Sequence, residues 1–153
     1  MSTLKISNLS CQRGYNLLFE NLSFELNSGE VLKISGPNGS GKTSLMKILA
    51  GLNSFETGSI EYDNIKINSE KYNLDFLYLG HLAALSPELS CLENLKYTAH
   101  LGNNNLNPDF SDALTKVGLE KFENELVGKL SAGQKKRIAL SLLFITQSKV
   151  WLL

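Results

Sequence analysis

The sequence predicts an α/β fold on three observations. Apolar and polar residues alternate near the N-terminus, at Leu4 and Ile6 and again over Leu22–Leu26, as half-buried β-strands require. An apolar stretch at Val31–Ser35 leads into a glycine-rich turn, after which the periodicity becomes helical. Apolar positions between Ser131 and Gln147 lie nearly all round a helix, which predicts that this helix is buried.

Length and composition indicate one globular domain that spans residues 1–153. A chain of this length buries roughly 70% of its unfolded surface, so it needs neither disulfides nor a structural metal. Fifteen basic and fifteen acidic side chains balance, which makes nucleic acid an unsuitable main partner. No stretch approaches the about 20 apolar residues of a membrane-spanning helix. Two widely separated cysteines, Cys11 and Cys91, favour a reducing compartment.

The first half of the chain alternates strands with one helix. A strand is predicted at Thr3–Leu9, and a helix from Lys42 that ends at Gly51. Its expected apolar face consists of Leu45, Ile48, Leu49 and Leu52. Short strands are predicted at Ser59–Tyr62, Ile65–Ile67 and Phe76–Leu79.

The second half is mainly helical. Ser90 and Glu93 have the spacing of a capping box before one helix. Asn107 and Pro108 are expected to start a short helix that ends at Gly118. A last strand is predicted at Val150–Leu153.

Residues Gly36–Thr43, called the phosphate loop below, spell G-P-N-G-S-G-K-T and match the phosphate-loop pattern at each fixed position. Glycines let backbone N–H groups surround phosphate oxygens, and the helix start adds partial positive charge. We expect Lys42, the predicted catalytic cation, to reach the β- and γ-phosphates of a nucleotide, and the Thr43 hydroxyl to hold Mg²⁺. The alternative is a turn that only joins a strand to a helix. The predicted nucleotide-binding residues are Gly36, Pro37, Asn38, Gly39, Ser40, Gly41, Lys42, Thr43 and Ser44.

A second motif, called the signature segment below, comprises Leu130, Ser131, Ala132, Gly133 and Gln134. By itself it is typical of a helix start, because Ser131 and Gln134 have capping-box spacing. The basic run Lys135–Arg137 is then expected to be a solvated face.

Together the two motifs resemble the ATP-binding cassette family, the nucleotide-binding subunits of membrane transporters, over the whole chain. Ala132 replaces the first glycine of the usual Leu-Ser-Gly-Gly-Gln signature. The resemblance implies that ATP is the nucleotide. It also implies a phosphate-loop core with an N-terminal antiparallel sheet, and a helical insertion over about 86–129. In such a family two subunits pair head to tail, so Ser131, Gly133 and the helix start of one subunit would close the phosphate loop of the other.

Two further positions narrow the resemblance. His81 lies where most family members have glutamine, in the segment between core and insertion, and the resemblance makes it a second predicted catalytic residue. The alternative is a partly exposed loop histidine. With the signature segment, His81 is most similar to the branch that exports haem for bacterial cytochrome c maturation. Arg13 falls where the family usually has an aromatic residue on adenine, and a guanidinium can also stack on a base.

The resemblance further implies integral membrane subunits as partners and a peripheral location on the cytoplasmic face of the bacterial inner membrane. It places a metal-binding Asp and a catalytic Glu directly after Leu153, where the given sequence stops. We therefore expect a C-terminally incomplete domain that binds ATP better than it hydrolyses it. The leading function is an ATP-binding subunit that, in the intact protein, couples hydrolysis to haem export. Alternatives are an ATPase subunit for another transported substrate, and a nucleotide-binding module without hydrolysis.

Overall fold

A computed structural model describes residues 2–67, 75–80, 85–101 and 108–153. The chain divides into two compact units, Met1–Tyr78 and Leu79–Leu153. Each unit is described by itself.

The first unit contains a four-stranded antiparallel sheet with the strand order β2-β1-β3-β4. Its strands are β1 (Thr3–Arg13), β2 (Asn16–Asn27), β3 (Thr57–Tyr62) and β4 (Ile65–Lys66). A fifth strand of this unit, β5, spans Phe76–Tyr78.

The alternation near the N-terminus places one face of the sheet in the core. Ile6 pairs with Phe24 of β2 and with Ile60 of β3. The buried apolar residues of the sheet are Leu4, Ile6, Leu9, Cys11, Ile60 and Tyr62. The predicted strands at the N-terminus are confirmed, and β1 runs four residues further than the sequence indicated.

The sheet contains a bulge in β1, whose register shifts between Ile6 and Leu9 against β2 and between Ser7 and Ser10 against β3. Asn8 takes a left-handed φ of 49° there, and its backbone N–H donates to Ser23 Oγ at 2.8 Å. Gly58 of β3 lies against the bulge, where an added Cβ would be 2.6 Å from Asn8 O. Because that atom is backbone, no side chain fits at position 58 without moving a strand.

The described residues of the first unit also contain the helix α1 (Lys42–Leu49), which buries Leu45, Ile48 and Leu49. Gly51 ends the helical path as predicted, with a left-handed φ of 72° and a hydrogen bond from its N–H to Ile48 O at 2.9 Å. Leu52 was expected on the buried face but is 63% exposed. The expectation was wrong because the helical periodicity stops at the Gly51 turn.

Val31–Ser35 was predicted as a strand, and this is a second correction. Within the part of the chain that the structure describes, these residues belong to no strand, and the Val31 side chain is 94% exposed. An apolar run predicts burial, but a strand also requires a neighbouring strand to accept its backbone hydrogen bonds. That partner cannot be read from the run itself.

The second unit contains the helices α2 (Cys91–Leu101), α3 (Phe110–Lys116) and α4 (Ala132–Ser141) and the strand β6 (Val150–Leu152). Three short 3₁₀ turns lie at Glu120–Phe122, Val127–Lys129 and Leu142–Phe144. The core of this unit is formed by buried apolar residues from the helices and turns: Cys91, Leu95, Leu114, Leu119, Val127 and Ile138.

Two helix boundaries differ from prediction. Asp109 caps α3 by accepting a hydrogen bond from the Asp112 N–H at 2.9 Å, whereas Asn107 lies outside the described residues. The last helix was expected to continue to Gln147 and to be buried throughout, but α4 ends at Ser141. Phe144 is 51% exposed, and the Lys116 ammonium lies 5.2 Å from its ring centroid. A cation over the ring face stabilises this exposed aromatic side chain.

The two cysteines are free and buried, one in each unit. Burial raises the pKa of both the Cys11 and the Cys91 thiol, so each remains protonated at neutral pH.

Candidate functional site

The phosphate loop is held in place by β2. Gly41 has a left-handed φ of 87°, and an added Cβ would lie 3.0 Å from Leu18 Cβ and 3.3 Å from Phe19 Cδ1. Position 41 therefore requires glycine both for its backbone conformation and for the close approach of β2. Leu18 and Phe19 were not identified from the sequence, although the run of three apolar residues at 17–19 interrupts the alternation of that strand.

Lys42 reaches back across the loop. Its Nζ donates to Gly36 O at 2.8 Å and to Pro37 O at 2.6 Å. An ammonium group has three N–H donors, so these two hydrogen bonds leave one donor for another oxygen. The positive charge is thus held beside the glycine-rich backbone.

The start of α1 lacks a side-chain cap. Gly41 occupies the N-cap position without any side-chain hydrogen bond, and the first turn contains no acidic residue. The first N–H groups of a helix have no partner within the helix, and they carry the positive end of its dipole. Thr43 is exposed and Ser44 is half-buried in this turn. The arrangement suits an anion such as a phosphate group.

Arg13 is bonded elsewhere in the same unit. With the Asn53 amide oriented so that its oxygen faces the guanidinium, Arg13 Nη2 donates to Asn53 Oδ1 at 3.0 Å. Asn53 follows the C-terminal end of α1, whereas the phosphate loop precedes its N-terminal end. The hydrogen bond of Arg13 therefore goes to Asn53 and not to the phosphate loop. Nothing in the sequence pattern pointed to Asn53.

The signature segment forms the N-terminus of α4, and its capping box is present. Ser131 Oγ accepts a hydrogen bond from the Gln134 N–H at 3.3 Å, and Gln134 Oε1 accepts one from the Ser131 N–H at 2.9 Å. Leu130 is buried, while Ser131, Ala132 and Gly133 are exposed. The segment thus presents three small exposed residues at a helix start.

Arg137 shows that the basic run is not purely a solvated face. Its Nη1 lies 3.3 Å from Val117 O and 3.4 Å from Gly118 O, just beyond the C-terminal end of α3. A cation at that end is favourable for the helix dipole. Lys136 is exposed, as expected.

Comparison with known proteins decides the family. The family model described as "ABC transporter" matches residues 19–153, including both the phosphate loop and the signature segment. The chain belongs to the ABC transporter family. The predicted family and the predicted α/β phosphate-loop fold class are thereby confirmed.

Curated relatives of this ABC protein are named "cytochrome c biogenesis ATP-binding export protein CcmA". The protein of Shewanella oneidensis is 46% identical over 152 residues, which are 98% of this chain and 70% of the relative. That of Mannheimia succiniciproducens is 45% identical over 156 residues, which are 100% of this chain and 73% of the relative.

Solved structures of ABC proteins share the fold. A Pyrococcus furiosus protein described as an ABC transporter (ATP-binding protein) superposes with a TM-score of 0.85 at 25% identity, covering 97% of this chain and 73% of that one. The ATP-binding cassette MJ0796 was determined as a dimer in a post-hydrolysis state bound to ADP and Pi. It superposes with a TM-score of 0.83 at 24% identity, covering 97% of this chain and 72% of that one.

Other predicted features of the ABC chain have different outcomes. His81 lies outside the described residues, so its predicted role stays a prediction. Among the described residues, no helix is long and apolar enough to cross a membrane. The same residues contain no group of three or more His, Cys, Asp or Glu side chains that could hold a metal ion.

A groove of about 390 Å³ lies in the first unit at the C-terminal end of α1. It is lined by Ala50, Gly51, Leu52, Phe76 and Tyr78. None of the phosphate-loop residues lines it.

Proposed function

We propose that the phosphate loop of this ABC subunit binds ATP, with Lys42 and the first-turn N–H groups of α1 in contact with its phosphates. The observation that carries the proposal is the uncapped start of α1 beside the Lys42 ammonium. A ligand that places phosphate oxygens there would satisfy backbone donors that no N-cap side chain meets. Arg13 is retained as a proposed adenine contact, since a guanidinium can stack through its face while an N–H group in its plane donates to Asn53.

Mg²⁺ fits the site as an ion that arrives with the nucleotide. Thr43 is exposed, and its hydroxyl would supply one oxygen ligand. Phosphate oxygens and water, which Mg²⁺ prefers, would supply the others. When bound, the ion neutralises charge on the phosphates. Thr43 then serves to fix the ion relative to the backbone donors of α1.

The signature segment is proposed to contact ATP bound to a second subunit. Ser131, Ala132 and Gly133 are exposed at a helix start. Ser131 Oγ also donates to Gln134 Oε1 at 2.9 Å. That hydroxyl hydrogen can turn to a phosphate oxygen while Gln134 Oε1 keeps its hydrogen bond from the Ser131 N–H. The capping box and a contact in trans are therefore compatible.

The transported cargo is proposed from the relatives. Proteins 45–46% identical over nearly the whole chain carry names in cytochrome c biogenesis and export. We infer that the subunit drives haem export for cytochrome c maturation, together with integral membrane subunits. It would then lie peripherally on the cytoplasmic face of the bacterial inner membrane. A different cargo remains the alternative, since no described residue has been shown to touch the cargo.

Nucleotide binding is tested by titration calorimetry of the 153-residue chain with ATP and Mg²⁺. Lys42→Ala is expected to weaken binding roughly 100-fold, because a charge-assisted contact to phosphate is lost. Lys47→Ala is the matched control, since Lys47 is an exposed lysine in the last turn of the same helix. Equal affinities for wild type and Lys42→Ala would refute the assigned site.

Hydrolysis is measured in the same samples as phosphate release. Release that depends on Lys42 supports an ATPase, and binding without release supports the phosphate loop as a binding site only. Ser131→Arg separates the two motifs, because it is expected to spare binding by one subunit and to block ATP-dependent pairing. Intact pairing in Ser131→Arg would contradict the proposed contact in trans.

A further inference from the structure

The loop Ser86–Ser90, called the 86–90 loop below, is held by hydrogen bonds between its backbone and one buried side-chain amide. Asn94 of α2 is 2% exposed. Its Oδ1 accepts the Ser86 N–H at 2.8 Å, and its Nδ2 lies 3.0, 3.2 and 2.9 Å from the carbonyl oxygens of Ser86, Leu89 and Ser90. A single side chain thus holds both ends of the loop.

The same loop also forms backbone hydrogen bonds with the turn Val127–Lys129. The Gly128 N–H donates to Pro87 O at 2.9 Å, and the Val127 N–H donates to Leu89 O at 3.0 Å. The approach is close, since a Cβ at position 128 would lie 3.0 Å from Pro87 O. Leu89 O accepts from both sides, so the loop is a spacer between Asn94 and the turn.

The turn leads directly into the signature segment. The Leu130 N–H donates to Val127 O at 3.1 Å, and Ser131 follows as the N-cap of α4. Leu130 is buried. The position of Ser131 therefore depends on where the 86–90 loop holds Val127 and Gly128.

We propose that Asn94 is a positioning residue that sets the placement of the signature segment through the 86–90 loop. This inference rests on the proposed function, in which that segment engages a second subunit. Asn94 is buried and bonds to the 86–90 loop, so its proposed effect is transmitted through that loop. Its effect is expected on subunit pairing and not on nucleotide binding, since the phosphate loop belongs to the other unit.

Asn94→Ala tests the inference by removing the amide from the full chain. Amide hydrogen exchange at Val127, Gly128 and Leu130 is expected to accelerate by about tenfold, since the loop that accepts two of these hydrogen bonds loses its support. The ATP-dependent association constant of the subunits is expected to fall by a similar factor. The ATP affinity of the single subunit should stay within twofold of wild type, because Asn94 and the phosphate loop belong to different units.

Gly128→Ala perturbs the same loop from its other side and keeps the Asn94 amide. Because its Cβ would press on Pro87 O, it should reproduce the change in exchange and pairing. It also provides a second variant if Asn94→Ala folds poorly. In the double variant, the fold-changes in exchange and in subunit association should be smaller than the product of the fold-changes in the two single variants. This is expected because both substitutions release the same loop.

Leu114→Val controls for simple destabilisation, because Leu114 is fully buried in α3 of the same unit. If it weakens pairing as much as Asn94→Ala at an equal loss in Tm, the positioning role is wrong. Unchanged exchange at Gly128 in Asn94→Ala would also overturn it. If wild type binds no ATP, the proposed function fails, and the exchange of Val127 and Gly128 still decides whether Asn94 positions the turn.

Discussion

The two helix starts that carry the motifs differ in how their first backbone N–H groups are capped. α1 follows Gly41, which has no side chain to offer, so the first N–H groups of the helix lack a side-chain cap. α4 follows Ser131. The Ser131 hydroxyl accepts the Gln134 N–H, and the Gln134 side chain accepts the Ser131 N–H. The first start leaves backbone donors without a side-chain cap, and the second is capped within the chain.

The difference explains why only one of the two motifs is proposed to bind nucleotide within a single subunit. A glycine N-cap costs the helix little relative to a polar cap and leaves donors for an anion. A serine cap uses its oxygen locally. Any ligand of α4 must therefore contact the exposed outer atoms of the signature segment, which suits a second surface better than an enclosed pocket.

The largest effect that separates the two starts is expected from Gly41→Ala. A side chain at φ 87° is strained by about 1–2 kcal/mol, and its Cβ would press on Leu18 at 3.0 Å. We expect ATP affinity to fall at least about tenfold as the loop shifts, measured by calorimetry.

Gly29→Ala is the control, because Gly29 has the same φ of 87° but nothing within 4 Å of an added Cβ. It should lower the Tm through strain while ATP affinity stays unchanged. Equal affinity losses in both variants would show that strain in the first unit, and not loop geometry, decides binding.

A smaller effect is expected from Ser131→Ala. The Gln134 N–H loses its acceptor, and the loss of such an N-cap costs about 1 kcal/mol of stability. Urea denaturation followed through the far-ultraviolet circular dichroism should show this loss, and ATP affinity of the single subunit should not change. Ser131→Thr keeps the hydroxyl and should restore most of the stability; no recovery would argue against the cap.

The smallest effect concerns a third helix start, which differs from α4 in one group. Before α2, Glu93 Oε2 accepts the Ser90 N–H at 2.8 Å, where α4 has the neutral Gln134. Hydrogen bonds from the Ser90 backbone first, and from its side chain second, lower the pKa of Glu93 below its usual 4.5. A lowered pKa contributes stability above the unfolded value, which is lost as pH falls through the folded value.

Glu93→Gln should therefore flatten the dependence of Tm on pH below 4.5. It should lower the Tm slightly at pH 7, where the carboxylate is ionised, and the two proteins should converge in acid. Thermal melts of both proteins across the acid range provide the measurement. A wild-type slope retained in Glu93→Gln would assign the acid sensitivity to other carboxylates.

The predictions from sequence succeeded where neighbours in the chain supply the physics. The Gly51 terminus and the boxes at Ser90 and Ser131 each depend on residues within one helical turn, so spacing was sufficient. The same holds for the glycine-rich turn that directly precedes α1, whereas the strand predicted before that turn is absent from the described residues.

The failures involve partners that are distant in sequence. The apolar run Val31–Ser35 is typical of a strand, but a strand forms only where another segment accepts its backbone hydrogen bonds. Asn53 and Asn94 are ordinary polar residues in the sequence, and only the fold reveals that one binds Arg13 and the other spans the 86–90 loop. Leu52 was misplaced for a related reason, because periodicity cannot show where a turn redirects the chain.

The placement of the two cysteines makes each unit separately observable. Cys11 lies in the buried face of β1, and the Cys91 N–H and Sγ both face Glu125 O, at 3.1 and 3.7 Å. Neither thiol can meet a reagent until its own unit opens, and their raised pKa values keep the background reaction slow. The rate at which each thiol is alkylated therefore follows the local opening of one unit, so the native chain carries two built-in probes that need no added label.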